Sequence, residues 1–276
     1  MWLDLGGTRF DLTSRALVMG ILNRTPDSFY DRGSYWDPDA FYRRAEALVA
    51  EGADLLDVGG VKAGPGPEVT EAEEMDRVVP AVAALRARFD VALSVDTWRA
   101  SVAAASYAAG AVMGNDISGF ADAEYLRVAA GAGAAVVATH IRLGPRIPDP
   151  DPHYDDLVAD VSRYLTDRAG AAAAAGLPPE RVIIDAGLDL GKTASQSLEL
   201  LRASDRLAGL GYPLLLSASN KAFLGTLLHL DIGERGLASV AAHALGVSLG
   251  CRIVRAHDVR AARRVCDTLA AVVTAR

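Results

Sequence analysis

The sequence predicts a (β/α)₈ barrel, or TIM barrel, preceded by a β-hairpin, and three observations support this prediction. Short apolar runs alternate eight times with Ala-rich stretches of helical spacing, at a period of about 30 residues. The length of 276 residues is close to the roughly 250 typical of this class. Nearly every apolar run also ends in a polar residue. An open, doubly wound sheet is the alternative.

The elements follow one another with little interruption. Two extended segments flank the Gly6-Gly7 pair, at residues 3–5 and 9–12, and predict the hairpin. The barrel strands are expected where the apolar runs are short, as in strands buried on both faces: residues 16–22, 55–58, 92–95, 111–113, 134–138, 182–184, 213–216 and 252–254. Helical spacing is clearest at residues 40–50, 71–88, 157–175 and 261–273. Residues 1–276 are therefore expected to form one domain.

Composition and charge exclude several classes of protein. A hydrophobic content of 51% and a charged content of 23% are typical of a chain with a full core. The net charge of -7 argues against nucleic acid or an anionic membrane as a non-specific partner. No apolar run reaches the length of a membrane-spanning helix, and no signal peptide precedes the first strand. We expect a soluble, cytoplasmic protein whose two cysteines, Cys251 and Cys266, are buried and chemically inert.

The polar residues that end the predicted strands distinguish a barrel from an open sheet. A barrel gathers the carboxyl ends of all its strands around one mouth, whereas an open sheet spreads them along a line. Eight polar strand ends are difficult to explain by helix capping alone. The residues concerned are Asn23, Asp57, Asp96, Asn115, Asp116, His140, Asp185, Ser217, Ser219, Lys221, Arg255, His257 and Asp258.

The three lysines of the chain, Lys62, Lys192 and Lys221, all follow predicted strand ends. A compact ammonium suits a phosphate or a carbonyl better than it suits a solvated helix face. Arg255 and His257 alternate on the last strand and therefore point to the same side. The loops after strands 7 and 8 are the usual phosphate site of such barrels, so a phosphate or pyrophosphate ligand is expected.

Two apparent nucleotide motifs do not hold. Only three residues separate Gly187 from Gly191 ahead of Lys192 and Thr193, where a P-loop needs four. The glycines at 59–60 and 64–66 lack the dinucleotide-binding spacing. The remaining histidines, which have no carboxylates at ligand spacing, are expected to be structural: His153, His229 and His243.

At its strand ends the chain resembles the dihydropteroate synthases, the folate-pathway members of the pterin-binding barrel family. The sequence MGILNRTPDSF at residues 19–29 is very close to the first-strand signature of that family. Further matches follow in the same order along nearly the whole chain: DVGG at 57–60, SVDT at 94–97, NDISG at 115–119, Asp185 with Gly187, Gly191 and Lys192, Ser219 with Lys221 and Phe223, and Arg255 with His257 and Asp258.

The resemblance implies a transferase that joins 6-hydroxymethyl-7,8-dihydropterin pyrophosphate to 4-aminobenzoate and releases pyrophosphate, with Mg²⁺ as cofactor and a homodimer as assembly. It implies a pterin pocket formed by Asp96, Asn115, Asp185 and Lys221, of which Asp96 and Lys221 would be catalytic. It also implies that Asn23, Arg255 and His257 bind the pyrophosphate and that Asn23 helps to hold Mg²⁺.

The departures from the family pattern lie where the second substrate is expected. Lys62 stands in a loop that lacks the family's Ser-Thr-Arg, Leu190 replaces a Phe, Ala222 replaces a Ser and Asp189 replaces a Gly. We treat Lys62, Leu190 and Ala222 as a possible second-substrate loop. Because these changes spare the pterin residues, we expect low or absent activity with 4-aminobenzoate.

Several functions remain open at this point. The chain could be a weakened synthase in which Lys62 partly replaces the lost arginine, or a transferase that accepts a different amine. It could instead be a pterin-binding paralogue without catalysis. A methyltetrahydrofolate methyltransferase of the same fold is less favoured, because a methyl donor carries no pyrophosphate for Lys221, Arg255 and His257.

Overall fold

The computed structural model describes residues 1–24 and 38–275 and confirms the predicted fold. Eight parallel strands close into a barrel in the order β10-β3-β4-β5-β6-β7-β8-β9, and β1 and β2 form a separate antiparallel pair. The strands are β1 Trp2–Leu5, β2 Thr8–Asp11, β3 Leu17–Asn23, β4 Leu55–Gly59, β5 Ala92–Asp96, β6 Met113–Asp116, β7 Ala135–Thr139, β8 Val182–Asp185, β9 Leu214–Leu216 and β10 Cys251–Ala256.

Helices connect the strands and surround the barrel. They are α1 Pro38–Ala50, α2 Glu71–Arg86, α3 Ala100–Ala108, α4 Tyr125–Ala132, α5 Leu157–Ala174, α6 Ala194–Arg202, α7 Ser204–Ala208, α8 Ala222–Leu228, α9 Gly236–Ser248 and α10 Val259–Thr274. Side-chain caps fix several of their starts. Asp258 accepts a hydrogen bond from the Ala261 amide at the start of α10, so this carboxylate has a structural role.

Alternation along the strands divides the core into an inner and an outer part. Met113, Ile183 and Ile253 point into the barrel, where they pack against the hairpin residues Leu3 and Leu5. Their strand neighbours point outward against the helices. The hairpin therefore closes the amino-terminal end of the barrel, and the carboxyl-terminal end is left for polar groups.

All the barrel strands except β9 extend further toward the barrel mouth than the apolar runs predict. Residues 111–113 were expected as the fourth barrel strand, whereas β6 runs from Met113 to Asp116. Asn115 and Asp116 stay in the hydrogen-bonded ladder opposite Val137 and Ala138. An apolar run ends at its first polar residue, but the ladder continues because these polar side chains are buried. Across the described residues, no helix is both long and apolar enough to cross a membrane.

Candidate active site

The strand ladder aligns several polar residues at the same height around the mouth. Asn23 pairs with Gly59, Gly59 with Asp96, and Asp96 with Asn115. Asn115 lies two positions beyond the inward Met113, and Arg255 lies two positions beyond the inward Ile253. Because side chains alternate faces along a strand, the polar groups must form a layer directly above the apolar interior.

Arg255 connects two carboxylates in this layer. Its Nε donates to Asp57 Oδ2 at 2.7 Å, and its Nη2 donates to Asp96 Oδ2 at 2.9 Å. Asn115 Nδ2 also donates to Asp57 Oδ2, at 3.0 Å. Asp57 is fully buried. Sequence reasoning listed it among the polar strand ends at the mouth but gave it no role. Burial raises the pKa of Asp96, while the charge of Arg255 opposes the shift.

Asp185 and Lys221 form a second charged pair on the other side of the mouth. Asp185 Oδ1 accepts a hydrogen bond from the Gly187 amide at 2.8 Å, and Lys221 Nζ donates to the carbonyl oxygen of Leu188. Burial raises the pKa of Asp185, and the Lys221 charge opposes that shift. Burial likewise lowers the pKa of Lys221, and Asp185 opposes it. The pair offers one acceptor group and one donor group to a polar heterocycle.

The residues expected to bind pyrophosphate lie beside the Arg255 network. A Cβ atom added at Gly59 would lie 3.4 Å from Asn23 Oδ1 and 3.6 Å from Asp96 Oδ2, so both oxygens face the same space. Arg44, on α1, donates to the backbone carbonyl of His257 at 2.5 Å and brings another cation to this side. Sequence reasoning missed Arg44, because nothing in a helical pattern marks which arginine faces the mouth.

His257 is a neutral hydrogen-bonding group at neutral pH. Burial lowers its pKa to about 3, and the charges of Arg255 and Arg44 contribute. Its Nδ1 lies 2.9 Å from Ser219 Oγ, which itself accepts from the His257 amide at 3.1 Å. The serine hydroxyl can donate its own proton to Nδ1, and we adopt the tautomer with the ring proton on Nε2. His257 can donate a hydrogen bond to an anion but adds no charge.

Lys192 holds the loop after β8 in place. Its Nζ lies 2.8 Å from His140 Nδ1 and 3.0 Å from the carbonyl oxygens of both Gly187 and Leu190. Burial lowers the pKa of Lys192 to about 7, and burial with the Lys192 charge lowers that of His140 to about 3. Gly187 has a φ of 66°, and a Cβ there would lie 1.9 Å from the His140 carbonyl oxygen. This loop is therefore tightly packed and fixed.

The possible second-substrate loop borders a cavity of about 340 Å³ beside the mouth. Leu190 lines this cavity, Lys62 precedes its lining residue Ala63, and Ala222 lies outside the lining set. Arg146 joins two of the walls, since its amide donates to the Ala63 carbonyl and its Nη2 to the Pro67 carbonyl. Three loops thus border a partly open space next to the mouth.

The sequence-predicted spectators occupy structural positions. His243 is buried in α9, and burial lowers its pKa to about 4. His229 ends α8 in a left-handed conformation, and His153 is exposed beside Asp155. Cys251 and Cys266 are buried free thiols, whose pKa values burial raises to about 12 and about 11. None of these groups contributes to the mouth.

A metal ion would find few protein ligands at the mouth. Within residues 1–24 and 38–275, no group of three or more His, Cys, Asp or Glu side chains has a geometry that could hold one. Asn23 offers one neutral oxygen to the space beside Gly59. Mg²⁺ commonly keeps several waters and binds through one or two protein oxygens together with substrate phosphates. The protein oxygens present here fit a Mg²⁺ site that is completed by substrate phosphates. They do not fit a site formed by protein ligands alone.

Together, the closed parallel barrel and the layer of carboxylates, amides and cations at its carboxyl end define a barrel enzyme for a polar small molecule. The chain belongs to the pterin binding enzyme family, whose family model matches residues 19–257. This confirms the resemblance given by the strand-end motifs. Residues 25–29 of the first-strand motif lie outside the described residues.

The chain is similar to several dihydropteroate synthases. It is 43% identical to the "Inactive dihydropteroate synthase 2" of Mycobacterium leprae, over 94% of this chain and 91% of that one. It is 39% identical to the dihydropteroate synthase of Synechocystis sp., over 96% and 92%. The structure of Yersinia pestis dihydropteroate synthase in a sulfonamide drug complex superimposes with a TM-score of 0.95, at 38% identity and complete coverage of both chains.

Proposed function

We propose that this chain is a dihydropteroate synthase-like transferase. It would bind 6-hydroxymethyl-7,8-dihydropterin pyrophosphate and transfer the pterin-methylene group to an amine, releasing pyrophosphate. The observation that supports this proposal best is the convergence of Asp96, Asn115, Asp185, Lys221 and Arg255 at one end of the barrel. These side chains present both hydrogen-bond acceptors and hydrogen-bond donors to one space. The residues expected to bind pyrophosphate lie beside that space.

The pterin would be held by groups of complementary polarity. Its amino and ring N–H groups are donors, which suit the carboxylates of Asp96 and Asp185. Its carbonyl oxygen is an acceptor, which suits the Lys221 ammonium. Asn115 can both donate and accept, and its bond to Asp57 fixes the orientation of the amide. The pocket is buried enough for these bonds to be stronger than in water.

The chemistry would consist of replacing one bond at the methylene carbon. The C–O bond to pyrophosphate breaks and its electron pair leaves with the pyrophosphate, while the amine lone pair forms a C–N bond and the amine then loses a proton. Positive charge develops on the methylene, where the Asp96 carboxylate stabilises it. The leaving anion would meet Arg255 Nη1, which makes no hydrogen bond to the described residues, and His257 Nε2.

Asn23 would hold Mg²⁺ together with pyrophosphate oxygens. When bound, the ion would supply positive charge that neutralises the leaving group. We expect Mg²⁺ alone to bind weakly, since a single amide oxygen is a poor site, and to bind well once pyrophosphate is present. Calorimetric titration of Mg²⁺ with and without pyrophosphate measures this difference.

A second candidate function is pterin binding without turnover. The 43% identical mycobacterial relative is named inactive, and the loop substitutions of this chain lie on the amine side alone. A non-catalytic paralogue would keep the pterin pocket and lose the amine. A paired measurement of pterin binding and turnover distinguishes the two candidates.

The deciding experiment combines calorimetry with a pyrophosphate-release assay. The intact protein should bind the pterin pyrophosphate in the presence of Mg²⁺, and Asp167→Asn, on the exposed side of α5, should bind it equally. Turnover with 4-aminobenzoate supports the synthase, while binding without turnover supports the paralogue or a different amine. Absence of pterin binding in the intact protein contradicts both candidates.

Assembly and location are also proposals. Leu227, on α8, is 51% exposed, and Leu237, on α9, is 85% exposed. These exposed apolar side chains favour a homodimer that covers them. Sedimentation analysis tests that assembly. We further propose a single domain acting in the cytoplasm, where the two buried thiols would stay reduced. Limited proteolysis tests the single domain, and cell fractionation tests the location.

A further inference from the structure

The carboxylate of Asp189, in the loop after β8, accepts hydrogen bonds from the start of α8. Its Oδ2 accepts from the amide of Ala222 at 2.7 Å and from the amide of Phe223 at 3.3 Å. Its own amide donates to Ser197 Oγ at 3.1 Å. The carboxylate of this chain therefore already uses the backbone donors that follow Lys221.

The backbone of Asp189 shows that this arrangement is built at a conformational cost. Its φ is 65°, in the left-handed region that favours glycine, and most other residues adopt it only when their surroundings hold them there. Leu190 donates to the Gly187 carbonyl at 3.0 Å, and Lys192 binds two carbonyls of the same loop, so the surroundings are rigid. The carboxylate is thereby held in one position.

Asp189 also lines the 340 Å³ cavity beside the mouth. The amine must reach the methylene from the open side of the mouth, because the barrel interior below is filled with apolar side chains. The cavity is a partly open space on that side. Most of its walls are apolar, from residues such as Ile141, Ile147 and Leu190, and its size suits a small aromatic molecule.

The cations around this cavity already have partners. Arg142 pairs with the lining residue Asp149, and Lys62, whose Cε would lie 3.7 Å from a Cβ added at the lining residue Gly64, has a partner as well. Lys192 is engaged by three backbone carbonyls and His140, and Arg146 by the Pro67 carbonyl. A substrate carboxylate at the start of α8 would be repelled by the Asp189 carboxylate. The amides of Ala222 and Phe223 already donate to Asp189 and would not be available to it.

We infer that Asp189 is a specificity-determining residue that excludes carboxylate-bearing nucleophiles and leaves the cavity to uncharged aromatic amines. This inference rests on the proposed transfer to an amine and specifies the chemical class of that amine. Asp189 replaces a hydrogen-bonding anion of the substrate with one of the protein. Losing charge-assisted hydrogen bonds and gaining like-charge repulsion both weaken binding of a carboxylate, by about tenfold or more.

The test compares 4-aminobenzoate with 4-aminobenzamide, its uncharged counterpart of nearly equal shape. Binding of each is measured by calorimetry to the full chain saturated with Mg²⁺, pyrophosphate and 6-hydroxymethylpterin. Asp189→Asn removes the charge and is tolerated at positive φ. Asp205→Asn, which removes an exposed charge on α7 that does not line the cavity, is the matched control. Thermal melting confirms that each variant folds.

We expect the intact protein to bind the amide at least tenfold more tightly than the carboxylate. Asp189→Asn should raise the affinity for the carboxylate about tenfold and leave that for the amide within twofold, while Asp205→Asn should leave their ratio unchanged. A purely structural role for Asp189 would change both affinities together and would overturn the inference. An unchanged ratio in Asp189→Asn, or failure of every form to bind either compound, would overturn it as well.

The pterin titration separates this inference from the proposed function. If the pterin and pyrophosphate bind and the amine ratio behaves otherwise than stated, only the assignment of Asp189 is wrong. If the pterin itself does not bind to the intact protein, the proposed function is wrong, and the assignment of Asp189 is overturned with it.

Discussion

Replacing Arg255 by glutamine should destabilise the folded chain mainly through the carboxylates it leaves behind. In the structure, Arg255 is 15% exposed and bridges Asp57, which is fully buried, and Asp96, which is 16% exposed. Asp57 Oδ1 has no hydrogen-bond partner among the described residues. Without the guanidinium, a buried charge is uncompensated.

The expected loss in the free energy of unfolding is about 3 kcal/mol, the lower end of the range for breaking a buried ion pair. We take the lower end because Asp96 and Arg255 keep some contact with solvent. For a chain of this length, that loss corresponds to a fall in Tm of about 5 °C. Urea denaturation followed by circular dichroism, at pH 8, measures it directly.

A double-mutant cycle shows whether the loss arises from Asp57. Asp57→Asn alone removes the charge but can keep the hydrogen bond from Asn115. If the physical account is correct, Arg255→Gln with Asp57→Asn should be less destabilised than the sum of the single variants, by about 2 kcal/mol. Simple additivity would show that the two side chains act independently.

The loss should also depend on pH with a definite sign. Burial raises the pKa of Asp96, and Arg255 opposes this, so Arg255→Gln should raise that pKa further. The folded variant then binds more protons than its unfolded chain between about pH 4 and the raised pKa. Stability of the variant must fall as pH rises through this window. In the intact protein the pKa of Asp96 is already raised to about 7, so the loss relative to the intact protein grows as pH rises above about 7. The reasoning would be refuted if the loss in the free energy of unfolding were equal at pH 5 and pH 8, or if it were below about 0.5 kcal/mol at pH 8.

Three further predictions concern the pterin, the anion and the loop after β8. Asp185→Asn should weaken pterin binding by about 1.5–3 kcal/mol in calorimetry, because a charge-assisted hydrogen bond is lost; unchanged affinity would contradict this. The affinity for pyrophosphate is compared between the intact protein and His257→Asn. The ratio of the two affinities should change less than twofold between pH 5 and pH 8, because burial lowers the pKa of His257 to about 3 and the ring stays neutral. A ratio that grows as pH falls through 6.5 would indicate that His257 is a cation when it binds the anion. Gly187→Ala should lower the free energy of unfolding by about 3 kcal/mol or more in urea denaturation, since its Cβ would clash with the His140 carbonyl. Gly176→Ala, whose φ is 95° and whose Cβ meets nothing within 4 Å, is the control and should lose less; equal losses would show that strain alone is responsible.

The sequence by itself determined the barrel and the polar character of its mouth. The period of apolar runs and the alternation of side chains along a strand are local properties, so they can be counted without knowing which strands are neighbours. They correctly predicted eight strands, the hairpin and the helices between them. Asp96, Asn115 and Asp185 were found for the same reason, because each ends an apolar run.

Only the tertiary structure decided which of these groups bind one another. Arg255 and Asp57 are 198 positions apart, and closure of the barrel between β10 and β3 brings them together. The contact between Asp189 and Ala222 spans 33 positions and joins two loops that no local pattern relates. Hydrogen bonds and ion pairs require atoms within about 3 Å, a condition set by the packing of distant segments. Periodicity fixes the face on which a side chain lies, and only the folded chain fixes its partner.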